Sequence, residues 1–83
     1  MKLVILNSAY KHGISEEAIN DCMSRHHIEY MLEEEPLKRL YVGFDNNGNL
    51  LEIIAIIEEN TIKVIHAMRL RKQYYYLLEE LNA

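Results

Sequence analysis

The residues best suited to chemistry lie near the C-terminal end, where Lys63, His66, Arg69, Arg71 and Lys72 cluster with no acid among them. Histidine moves protons near neutral pH. Arginine binds two phosphate oxygens at once through its planar fork. RNA cleavage without a metal needs a group to take the 2′-hydroxyl proton and another to protonate the leaving 5′-oxygen. It also needs cations for the phosphoryl charge. His66 and Arg69 at a strand end, with Arg71, Lys72 and Tyr76 on the turns that follow, supply these parts. Arg69, Lys72 and Tyr76 stand at i, i+3 and i+7, one helical face opposite a leucine stripe. Lys63, Arg71, Lys72 and Tyr75 would contact the RNA itself, the tyrosine by stacking on a base. Lys11 and His12 join the set if their segment packs beside the last strand.

Plainer readings compete for the same residues. His66 alternates with Val64 and Ile62, as a sheet-face histidine with one hydrogen bond would. Lys11 and His12 suit the end of a helix, where cations meet the negative end of its dipole. Arg69, Arg71 and Lys72 suit a solvated face, or partners for the acids between Glu29 and Glu35. Tyr75 and Tyr76 also suit a protein interface. No metal site is expected, because His26 and His27 are adjacent and point different ways from a helix. No Gly-rich phosphate loop, CxxC pair or nucleophile elbow occurs.

Something must position these groups, and 83 residues with 49% hydrophobic content bound what that is. One domain spanning 1–83 with a modest core is expected, burying about 60% of its unfolded surface. The composition excludes disorder. The single Cys22 cannot form an internal disulfide, and the opening residues lack a signal-peptide pattern. The expectation is therefore a reduced, cytoplasmic protein, and no apolar run approaches the roughly 20 residues of a membrane span. The net charge of −4 argues against general affinity for nucleic acid. It is unevenly spread: Glu16 to Glu35 holds seven acids against one base, whereas Thr61 to Tyr76 holds four bases and no acid.

Lys2 to Leu6 suits a short strand or the start of a helix. Ser15 reads as an N-cap, with Glu16 and Glu17 in the first turn. Ile14, Ala18, Ile19, Cys22 and Met23 form the apolar side of the helix that follows. Ile28, Tyr30 and Leu32 alternate as in a half-buried strand, and Leu40, Val42 and Phe44 repeat the pattern. The Asn47-Gly48 pair predicts a tight hairpin with positive φ at both central residues. Leu50 to Ile57, nearly all apolar, suits a central strand, and Ile62 to Ala67 the next. Leu70, Tyr74, Leu77, Leu78 and Leu81 then space as a helix packing one stripe on the sheet. The expected class is α+β: an N-terminal helix, a three- to four-stranded antiparallel β meander and a C-terminal helix packed on the sheet.

In this order the residues resemble a family. Lys11-His12-Gly13-Ile14-Ser15-Glu16-Glu17-Ala18, a strand ending Val42-Gly43, an apolar hairpin, and Val64-Ile65-His66-Ala67-Met68-Arg69 before a Tyr-rich helix resemble the BrnT-type toxins. Those are bacterial ribonuclease toxins of type II toxin–antitoxin systems with a RelE-like fold. Where the family reads Ser-Ala-Arg, this chain reads His66-Ala67-Met68-Arg69, and the phenylalanine usual after Ser15 is missing. The resemblance implies a divergent member, RNA as substrate and a cognate antitoxin protein as partner. It implies no cofactor. The alternative function is a non-catalytic interaction domain of the same fold, working as a homodimer or bound to a partner, with its acidic and basic halves as complementary patches.

Overall fold

The computed structural model describes residues 1–82, with side chains through Glu79. The fold is α+β. Strand β1 (Lys2–Ile5) leads through a 3₁₀ turn (Asn7–Tyr10) into helix α1 (Glu16–Arg25). Strands β2 (Ile28–Glu34), β3 (Leu37–Phe44), β4 (Leu50–Glu58) and β5 (Thr61–Arg69) follow, then a C-terminal 3₁₀ helix (Lys72–Asn82). The five strands form one sheet in the order β1-β5-β4-β3-β2. β2 to β5 are the antiparallel meander expected, but β1 adds beside β5 in parallel, so the sheet is mixed. The chain starts at one edge, crosses a face through α1, and returns strand by strand. That route fixes the parallel pairing, which the short apolar run of β1 does not encode.

α1 begins as its cap predicts. Ser15 has extended φ and ψ, and its hydroxyl accepts the Ala18 N–H at 3.1 Å. Ser15→Ala is expected to cost about 1 kcal/mol in urea-induced unfolding, with the α1 amides the first to lose protection in hydrogen exchange. Ile19 and Cys22 of the apolar stripe are fully buried against Tyr41, Leu51, Ile53, Ala55, Val64 and Ala67. Burial pushes the Cys22 thiol up to about 12, so it stays protonated and unreactive at neutral pH.

On the other face, Ile28, Leu40 and Val42 meet Leu70 and Leu77, with Tyr74 and Leu78 beside them. The C-terminal segment covers this face as expected, but as a 3₁₀ rather than an α-helix. Three residues per turn stack i on i+3. Lys72 therefore lines up with Tyr75, not with Tyr76, and Arg69 lies in β5 outside the helix. The common face of Arg69, Lys72 and Tyr76 does not form. Leu81, which the spacing adds to the stripe, lies outside the residues whose side chains are described.

The β3–β4 turn also departs from expectation. Gly48 is the only residue of Asp45–Asn49 with positive φ, at 79°. Asp45 organises the loop: its Oδ1 accepts the N–H groups of Asn47 and Asn49 at 2.9 and 2.8 Å. The Asn49 side-chain amide, donating to Oδ2 at 3.0 Å, and then those backbone bonds hold its carboxyl below the usual range. A turn of this length with an αL glycine replaces the two-residue turn that Asn-Gly alone suggests.

Candidate functional site

A bulge in β5 builds the site. Val64 pairs with Ala55 and His66 with Ile54, leaving Ile65 as an extra residue. In a regular strand Val64 and His66 would share a face. The inserted residue breaks that alternation and turns His66 away from the α1 core. Val64 stays in that core while His66 lies over Glu52 on the opposite face. The freed Ile65 carbonyl accepts a hydrogen bond from the Ser8 hydroxyl at 2.8 Å. The Leu6 N–H donates to the Val64 carbonyl at 2.9 Å. These bonds fasten the 3₁₀ turn beside β5 and bring His12 to His66, edge to face, with ring centroids 5.4 Å apart.

Glu52 is the centre of the cluster, and the sequence reading misses it. Its side chain is fully buried in the middle strand. Oε1 accepts the Arg71 backbone N–H at 2.8 Å and its Nε at 3.1 Å. Oε2 accepts Arg71 Nη2 at 2.7 Å and lies 2.9 Å from His66 Nε2. Burial alone would push the Glu52 carboxyl up. The bonds from Arg71, and then from His66, outweigh it and hold the carboxyl below its ordinary value of 4.5. Glu52 in turn raises the Arg71 guanidinium, which lies 5.6 Å from the centre of the Tyr74 ring. The available signal was a single acid inside the apolar run Leu50 to Ile57. A charge in a central strand needs partners from neighbouring elements.

An ionised carboxylate only accepts, so Nε2 of His66 carries the proton and Nδ1 of the neutral ring is left as a base. Nδ1 makes no hydrogen bond among the described residues. The His66 side chain keeps 20% of its surface and His12 is exposed, so solvent reaches both rings.

The structure thus brings together His12, His66 and Arg71, with Lys11 one residue away in the chain. The other candidates lie elsewhere. Lys63 pairs with Glu58 at 3.0 Å near the β4–β5 turn. Arg69, at the end of β5, lines a recess on the α1 side with Gly13, Ser15, Asp45 and Asn49, and a second recess with Leu50, Leu70, Leu78 and Tyr75. Its strand parity is that of Ala67, opposite to His66. Lys72, Tyr75 and Tyr76 are exposed on the C-terminal helix. Arg71 is half spent, because its fork already holds a carboxylate.

Among the described residues, no helix is long and apolar enough to cross a membrane. None of their His, Cys, Asp and Glu side chains form a group of three or more placed to hold a metal ion. No protein-family model matches the chain, and no curated protein matches it either.

Proposed function

We propose that this is a toxin-like small domain of a type II toxin–antitoxin system, cleaving RNA in the cytoplasm without a metal. The observation that carries this reading is the convergence of His12 and His66 from separate elements, with Glu52 behind His66. His66 Nδ1 takes the 2′-hydroxyl proton as the 2′-oxygen attacks phosphorus. Protonated His12 gives a proton to the 5′-oxygen as the P–O5′ bond breaks. The products are a 2′,3′-cyclic phosphate and a 5′-hydroxyl, and no further reactant is consumed. Lys11 and the exposed edge of Arg71 offer charge to the phosphoryl oxygens. Tyr75, Tyr76 and Lys72 offer a flanking surface for bases. A cognate antitoxin would cover this cationic side.

A second reading has its own support. Glu52 and Glu58 already engage Arg71 and Lys63. On that account the buried cluster only locks the C-terminal segment onto the sheet, and the domain binds protein partners.

Induced expression in a bacterial host separates the two, comparing wild type with His12→Ala and His66→Ala. Growth arrest with decay of bulk RNA, relieved by either substitution in a protein of unchanged circular dichroism, is the expected outcome. Healthy growth at high soluble yield of the wild type rejects the nuclease. A small adjacent reading frame for a DNA-binding antitoxin would add independent support.

A further inference from the structure

The sheet has an open edge that its side chains leave half prepared. β2 pairs with β3 alone and ends the strand order, so one row of its backbone N–H and C=O groups has no partner strand. The alternation in Ile28, Tyr30 and Leu32 predicts a half-buried strand, yet only Ile28 is buried. Tyr30, Met31 and Leu32 are consecutive and exposed. Tyr30 lies opposite Leu40 on the C-terminal-helix face, and Met31 opposite Arg39 on the α1 face. Apolar surface is therefore offered on both sides of the edge.

An exposed apolar edge is a template for strand addition, and folded proteins guard such edges. Here the guard is a bulge at Leu32 and a set of acids: Glu29, Glu33, Glu34 and Glu35. Glu29 is paired to Arg39 and Glu33 to Lys38 at 3.2 Å, while Glu34 and Glu35 make no ion pair among the described residues. Their positions count against a second copy of this chain. A two-fold antiparallel pairing centred on Met31 sets Glu29 of each copy opposite Glu33 of the other. Like charges directly opposite destabilise a strand pair. The same acids attract a strand with bases at those places, so the guard is selective.

We infer that β2 is a docking edge for an extended segment of another protein, added antiparallel as a sixth strand. The segment carries three apolar residues to face Leu32, Met31 and Tyr30, with Lys or Arg opposite Glu34, Glu33 and Glu29. Main-chain bonds to the free edge supply affinity, and the charge pattern supplies register and choice of partner. The surface is independent of the histidine site. β2 lies three strand spacings from β5, roughly 14 Å across the sheet.

The test uses the full chain and the synthetic peptide acetyl-Lys-Lys-Val-Ile-Val-Lys-amide, titrated while backbone amide shifts are followed by NMR. Shifts concentrated in Ile28–Glu34, with Hα–Hα contacts between peptide and β2, are expected. Glu33→Lys with Glu34→Lys should weaken binding about tenfold, since two attractive pairs become repulsive. A peptide N-methylated at alternate residues keeps its charge and side chains but cannot complete the ladder, and it should not bind. Equal binding of that peptide would reduce the effect to charge alone and overturn the proposal. No peptide binding would overturn it as well, and wild-type chain dimerising through β2 in sedimentation would then identify a second copy as the occupant.

Discussion

Glu52→Gln is expected to lower the unfolding free energy by about 2 to 3 kcal/mol at neutral pH. Removing one member of a buried ion pair usually costs about 3 to 5 kcal/mol, because the other charge is left without compensation. The lower figure applies here because the Arg71 side chain keeps 39% of its surface and can turn to water. Glutamine still offers one oxygen to the Arg71 backbone N–H. In a domain of this size the loss should appear as a fall in Tm of roughly 10 to 20 °C. The pH dependence identifies the charge as the source. Folding lowers the Glu52 pKa from 4.5, so its contribution is complete above that value. It drains away as pH falls through the lower folded value, where the native carboxylate is protonated. The difference between wild type and variant should therefore shrink in acid. An unchanged difference from pH 7 to pH 3 would mean that shape rather than charge matters at this site. Under the proposed chemistry the variant also loses cleavage, because a glutamine amide no longer dictates which His66 nitrogen carries the proton.

What could be read from the residues was what local pattern controls. The Ser15 cap, the α1 stripe ending at Cys22 and Met23, the alternation in β3 and the apolar run of β4 each depend on neighbours within a few positions. They appear close to where they were expected. β1 as a parallel partner of β5 depends on a path across the whole sheet. His66 was legible as a proton-transfer candidate, but its face was not, since the alternation with Val64 holds only in an unbroken strand. The bulge at Ile65 is stabilised from outside the strand by Ser8, 57 residues earlier. Glu52 escaped for a related reason. A single acid in an apolar run reads as noise until Arg71, 19 residues later, is seen to close on it. Arg69 and Tyr76 were grouped with Lys72 on an α-helical period that a 3₁₀ segment does not keep.

Gly43→Ala tests the other face of the sheet, where β3 passes beneath the end of α1. A β-carbon added at Gly43 would lie 2.7 Å from the His26 Cα and 3.3 Å from both the Cys22 carbonyl oxygen and its Sγ. The nearest atom is backbone, so no rotamer change can relieve the contact. Overpacking of this kind costs about 1 to 3 kcal/mol. An alanine also restricts the unfolded chain, returning about 0.4 to 1 kcal/mol where the backbone is compatible. Gly43 has no positive φ, so that return applies and the net loss should be about 1 to 2 kcal/mol. Valine has two further methyl groups to place in the same gap and should cost more than alanine. In amide NMR spectra the changes should centre on Cys22 to His26 and on Tyr41, whose ring meets that of His26 at 4.9 Å. Signals from His66 and Arg71 should stay near their wild-type positions, because both meet Glu52 on the opposite face of the sheet from the Gly43 contact with α1. A neutral or stabilising alanine would show that α1 sits farther from β3 than this geometry places it. Large shifts at His66 would show that the two faces move together, and that the bulge at Ile65 answers to the seating of α1 as well as to Ser8.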